Sequence, residues 1–171
     1  APEPTPAPTE SPKTSATSFA TLNETVRASV VNLLCTSKSG GSFNSISASG
    51  VVIDSRGVIL TNSHVAQYFL LRDYPNPGQL ECIVRVGAPA QARYRAELLF
   101  MPPSWIEKNA NKIKDEQPTG TGEHDYALVR IIPPATKEAT SSLPFAALTP
   151  AYDGAGIVKA EPALVASYPA G

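Results

Sequence analysis

The chain has little from which a membrane segment, a metal site or a polyelectrolyte interface is built. Across its 171 residues no apolar run approaches the length of a bilayer-spanning helix, and no hydrophobic signal segment stands at the start. The only cysteines are Cys35 and Cys82, and the only histidines His64 and His124. None of them makes a Cys-x-x-Cys pair, and their scatter makes a poor zinc site, so neither a metal nor a cofactor is expected. A formal net charge of -1 removes the electrostatic reason to expect nucleic acid or an anionic membrane surface as a partner. An initiating methionine is also missing. Ala1 is followed by Pro-Glu-Pro-Thr-Pro-Ala-Pro-Thr-Glu-Ser-Pro, which is what a trimmed product looks like. The expectation is an upstream signal peptide or membrane anchor and an extracytoplasmic location: secreted, periplasmic or surface-anchored.

A hydrophobic fraction of 42% is that of an ordinary globular protein, and the length allows one buried core. Residues 1–18 are Pro, Thr, Ser, Ala and Glu without apolar periodicity, so they bury too little surface to offset their ordering entropy and read as a disordered linker. Phe19, Leu22 and Val26 recur at helical spacing and predict one or two turns between Ser18 and Ser29. A first strand is predicted over Ser29–Thr36. Val51-Val52-Ile53 and Val58-Ile59-Leu60 flank Asp54-Ser55-Arg56-Gly57, the composition of a tight hairpin. Leu80–Val86, Arg93–Met101 and Asp125–Ile132 supply three further strands.

Between the last two, Ser104-Trp105-Ile106-Glu107 reads as a capping box, and Ile106, Ala110 and Ile113 predict a short amphipathic helix ended by Pro118–Gly122. Six consecutive strands with short links fit a closed antiparallel barrel or an open two-sheet sandwich, and periodicity does not separate the two. His64 falls where the third strand gives way to a helical turn begun by Ala66-Gln67-Tyr68-Phe69.

Two stretches resemble the trypsin-like (chymotrypsin-fold) serine protease family, nearest its bacterial HtrA/Deg branch. One is Ser49-Gly50-Val51-Val52-Ile53-Asp54 followed by Leu60-Thr61-Asn62-Ser63-His64-Val65. The other, His124-Asp125-Tyr126-Ala127-Leu128-Val129-Arg130-Ile131, is similar to that family's Asp-Ile-Ala-Leu-Leu-Arg/Lys-Ile strand. The resemblance implies an all-β fold in which residues 19–149 form the first six-stranded barrel of a double-barrel peptidase. Residues 150–171 then form the crossover and the first strand of a truncated second barrel. It further implies that His64 is the general base and Asp125 the carboxylate that orients it, with a protein or peptide as substrate. His124 remains a loop neighbour. Residues 102–124 border the substrate cleft in such a fold, or are a plain surface insertion.

The chemistry also needs a hydroxyl nucleophile and oxyanion donors. No serine after Asp125 stands in a Gly-Asp/Asn-Ser-Gly-Gly turn: Ser141, Ser142 and Ser167 lack the flanking glycines, and Ser39-Gly40-Gly41 lies before His64 where a hairpin loop uses glycines anyway. No nucleophile is therefore assigned in this chain. The expectation is the N-terminal part of a longer serine endopeptidase, inactive alone, with a non-catalytic barrel serving as a binding or scaffold module as the alternative. The resemblance places the first and fourth strands side by side, which sets Cys35 and Cys82 on neighbouring strands. A disulfide is expected there, against a pair of buried free thiols.

Overall fold

The computed structural model describes residues 18–37, 45–74, 76–112, 122–132, 144–151, 159 and 162–168. Helix α1 (Phe19–Ser29) leads directly into strand β1 (Val30–Ser37). Then follow β2 (Ile46–Asp54), β3 (Val58–Thr61), α2 (Ser63–Leu70), β4 (Leu80–Val86) and β5 (Gln91–Phe100). After them come α3 (Pro103–Asn109), a 3₁₀ turn (Ala110–Lys112) and β6 (Ala127–Ile132). All strand pairings are antiparallel, and the strands close into a barrel in the order β1-β2-β3-β6-β5-β4. The expected closed barrel is thus the architecture, and the open sandwich is excluded.

Pairing of β1 with β4 closes the sheet, and period-two alternation turns one face of each strand into the core. Val31, Leu33 and Cys35 of β1 are buried, as are Val52, Ile59, Leu80, Cys82, Val84, Ala96, Ala127, Val129 and Ile131 from the other five strands. Each large aliphatic side chain so placed stabilises the fold by roughly 1.5–3 kcal/mol relative to exposure. Register shifts in β2–β3, β4–β5 and β5–β6 bend the strands, as a closing sheet requires. Val65, Ala66, Tyr68 and Phe69 of α2, with Met101 just before α3 and Trp105 on it, extend the same apolar core, and α2 packs on β4, β5 and β6.

The β2–β3 hairpin uses a three-residue loop in which Gly57 takes φ 89°, and its N–H donates to Asp54 O at 2.9 Å. Glycine is needed twice over there. The left-handed backbone disfavours a side chain, and a Cβ would lie 3.0 Å from Ile131 Cβ and 3.1 Å from the Phe145 ring. Phe145 packs edge-on against Tyr94, and its N–H and that of Leu148 donate to Ser55 and Val52 carbonyls. Residues 145–148 are thereby laid along the hairpin. Farther on, residues 162–168 form no strand, and Tyr168 is tied to the barrel through its N–H to Ser49 Oγ (2.8 Å) and its hydroxyl to Gly87 O (3.0 Å).

The structure corrects several local expectations. Ser104 is not a helix cap: α3 has Pro102 at its N-cap and Pro103 at its first position, where proline's fixed φ and missing N–H are no handicap. That helix stops at Asn109 and tightens into the 3₁₀ turn, so Ala110 does not continue it; Ile113 lies outside the described residues. Helix α2 begins at Ser63, not Ala66, and β6 at Ala127, not Asp125. On α1 the apolar stripe is only partly covered, with Phe19 and Leu22 exposed and Val26 half-buried. Residues 1–17, the Ser39-Gly40-Gly41 turn, Ser141, Ser142 and Pro133–Glu138 lie outside the described residues.

Candidate active site

Strand pairing brings the two candidate residues together. β3 and β6 are neighbours with Thr61 opposite Ala127. The three residues after Thr61 and the two before Ala127 therefore emerge at the same rim of the barrel. Thr61 anchors that rim by donating its hydroxyl to Ser49 O at 3.0 Å.

His64 Nδ1 lies 2.7 Å from Asp125 Oδ2, and the His64 backbone N–H donates to Asp125 Oδ1 at 3.0 Å. Both carboxylate oxygens thus accept from a single residue. Because a carboxylate only accepts, the proton of a neutral imidazole sits on Nδ1, leaving Nε2 as the proton acceptor. The Asp125 side chain is 6% exposed and that of His64 28%. The carboxylate is shielded from water while the imidazole remains reachable.

The local sequence explains this geometry. Asn62 occupies the N-cap of α2 with extended backbone, yet its side chain makes no cap hydrogen bond. Instead its Nδ2 donates to Asp125 O at 3.1 Å and approaches Asp125 Oδ2 at 3.5 Å. The cap role passes to Asp125, whose Oδ1 takes the free N–H of the second helical residue, where an anion is also favoured by the helix dipole. Ser63 Oγ bonds to Tyr126 O at 2.7 Å and lies 3.3 Å from His124 O. Gln67 Nε2 donates to His64 O at 2.7 Å within the helix.

Asn62, Ser63 and Gln67 were given no role by sequence reasoning. The signal was there in part, since a small polar pair directly before the histidine, at the foot of a helix, has backbone carbonyls nearby to bind. His124 does not join the site. It lies exposed in the turn at φ 57°, its Nε2 3.7 Å from Glu123 Oε1. Ser167 is exposed, and no hydrogen bond joins it to His64. Among the described residues no cluster of three or more His, Cys, Asp or Glu side chains could hold a metal ion.

Away from the rim, Cys35 and Cys82 face each other in register across β1 and β4 and form a disulfide. The expectation drawn for them holds, and neither cysteine is a free thiol.

A buried carboxylate that fixes the tautomer of a reachable imidazole leaves Nε2 able to take a proton from a nucleophile placed against it. Comparison with protein families gives one finding. Residues 48–171 match the family described as trypsin-like peptidase domain. No curated protein matches the chain.

Proposed function

The chain belongs to the trypsin-like peptidase domain family, and on that premise we propose that it is the His- and Asp-bearing part of a serine-type endopeptidase. The observation that carries the reading is the 2.7 Å contact between His64 Nδ1 and Asp125 Oδ2, closed a second time by the backbone N–H of His64. In this role His64 Nε2 removes the proton from a serine hydroxyl as its oxygen attacks the substrate carbonyl. It then returns that proton to the leaving amine, and the sequence repeats with water to release the acyl group. Asp125 holds the imidazole in the required tautomer and offsets the charge of the transient imidazolium.

The serine and the oxyanion donors are supplied, in this proposal, by sequence C-terminal to Gly171, because no serine after Asp125 has the flanking glycines of a nucleophile turn. The Thr61-Asn62-Ser63-His64-Val65 motif supports kinship with the HtrA/Deg branch. The Cys35–Cys82 disulfide supports an extracytoplasmic location, where such bonds persist.

The test is peptide hydrolysis by the full-length protein and by its His64→Ala and Asp125→Asn variants. Each substitution is expected to lower kcat about 10⁴-fold or more while the protein still folds. Activity that survives His64→Ala would overturn the assignment. A full-length protein with no nucleophile turn would instead favour a non-catalytic barrel that binds peptides.

A further inference from the structure

Ser63 has the least exposed polar side chain beside the site, at 0%, and its hydroxyl does nothing for the helix in which it stands. It crosses to the segment that carries Asp125. The proton of the hydroxyl goes to Tyr126 O at 2.7 Å, with His124 O as the weaker acceptor at 3.3 Å. Asn62 takes the carbonyl between them, Asp125 O, at 3.1 Å. Three consecutive carbonyls ahead of the β6 ladder are therefore met by two consecutive side chains ahead of His64.

That segment is not held by regular structure. It precedes the first residue of β6, and His124 sits in the left-handed region at φ 57°, a conformation that a side chain other than glycine's adopts only when its surroundings hold it. Ser63 and His64 are neighbours at the strand-to-helix junction, and His124 and Tyr126 flank Asp125 on the segment that leads into β6. The Ser63 hydrogen bond and the His64–Asp125 contact thus run side by side between the same two segments. A shift that lengthens one lengthens the other.

We propose that Ser63 is a positioning residue for the His64–Asp125 pair: its hydroxyl clamps the carbonyls on either side of Asp125 and so sets the distance at which the carboxylate meets the imidazole. This inference rests on the general-base role proposed for His64, and it deepens that role by adding a residue that touches neither substrate nor the reacting atoms.

The experiment uses full-length protein labelled with ¹⁵N-histidine. It follows the downfield proton resonance of the His64 Nδ1–H, assigned with His64→Ala, together with kcat and KM. For Ser63→Ala the resonance is expected to move upfield and exchange faster with water, and kcat to fall on the order of 10- to 100-fold with KM unchanged. Asn62→Ala, at an exposed position, is expected to give the same changes at smaller amplitude without disturbing the core. Ile59→Val, a truncation inside the barrel, is the control for plain loss of stability and leaves both readouts in place.

If Ser63→Ala keeps the resonance and kcat of the unaltered protein, losing only stability as the control does, the positioning role is wrong while the function can stand. A Ser63-dependent resonance in a protein that cleaves nothing supports the clamp and sinks the peptidase reading alone. No downfield resonance in an unaltered protein that also cleaves nothing overturns both.

Discussion

Two clasps join distant parts of this barrel, and they are made of opposite materials. Cys35–Cys82 links β1 to β4 across a separation of 47 residues. The His64–Asp125 contact links the foot of α2 to the lead-in of β6 across 61. In the strand order β1-β2-β3-β6-β5-β4, the β1/β4 seam and the β3/β6 seam stand three steps apart around six, on opposite walls. The first clasp is covalent and buried among apolar side chains, whereas the second is polar, reversible and open to water on one side. The difference lies in what each must tolerate. In the function proposed above, Nε2 of His64 gains and loses a proton while Nδ1–H stays on Asp125, so the polar clasp has to hold a neutral and a charged imidazole alike. The covalent one holds the opposite wall whatever the protonation state.

The strongest way to break this division is to open the covalent clasp. Cys35→Ala with Cys82→Ala frees a loop of that length in the unfolded state and is expected to lower stability by about 4 kcal/mol in the chain-entropy view. That is a large share of the roughly 5–15 kcal/mol a domain has in total. Urea denaturation of the double variant and of the unaltered protein, each with and without reductant, measures it. The Asp125→Asn variant provides the contrast, with a loss of only about 1–2 kcal/mol from its hydrogen bonds, against a near-complete loss of the activity proposed above. Equal effects of the two changes on stability would dissolve the distinction between the clasps.

A smaller effect tests the wall between them. Gly50 on β2 lies opposite Val31, and a Cβ built on it would stand 2.5 Å from Ile59 Cγ2 inside the barrel. Ile59 is fully buried and has no room to withdraw. Gly50→Ala is therefore expected to cost about 1–3 kcal/mol through overpacking, visible as a lower urea midpoint with an unchanged slope. Neither clasp touches this position, so the disulfide and the Nδ1–H resonance should both survive.

How much of this was legible beforehand differs between the same two regions. The strands were readable because alternation writes itself into sequence: Leu80–Val86 has the limits expected of it, and the β2–β3 turn is marked by Asp54 and Gly57. Alternation alone left barrel and sandwich open, since closure depends on which edges meet, and pairing of β1 with β4 is a long-range fact. The disulfide inherited that dependence and was expected only through the family resemblance. At the rim, His64 and Asp125 stood out as residue types in a familiar setting, but their supporting hydrogen bonds did not. Those bonds run to carbonyls, and a carbonyl has no letter. Asn62 stands at the N-cap of α2 yet leaves the capping hydrogen bond to Asp125, an exchange that only the folded register of β3 against β6 can produce. Ser104 failed in the opposite sense, because the Pro102-Pro103 pair ahead of it had already started the helix.

The smallest effect lies in the hairpin turn that neither clasp includes. Arg56 donates to Asp54 through Nε (3.0 Å), Nη2 (2.8 Å) and its backbone N–H (2.8 Å). The side-chain hydrogen bond from Arg56, followed by the backbone one, lowers the Asp54 pKa from 3.8 to about 2. A carboxyl group with a depressed folded-state pKa favours the fold when ionised. Its contribution is complete above the unfolded value near 3.8 and disappears as pH falls through about 2. The turn is exposed and screened by salt, so the contribution is small. Asp54→Asn should then lower the thermal midpoint slightly at neutral pH, and the gap to the unaltered protein should close as pH falls from about 4 to about 2. Added salt should narrow the gap at neutral pH as well. A gap that stays constant through that acid window would mean that Asp54 acts through turn geometry, by accepting the Arg56 backbone N–H, and not through its charge.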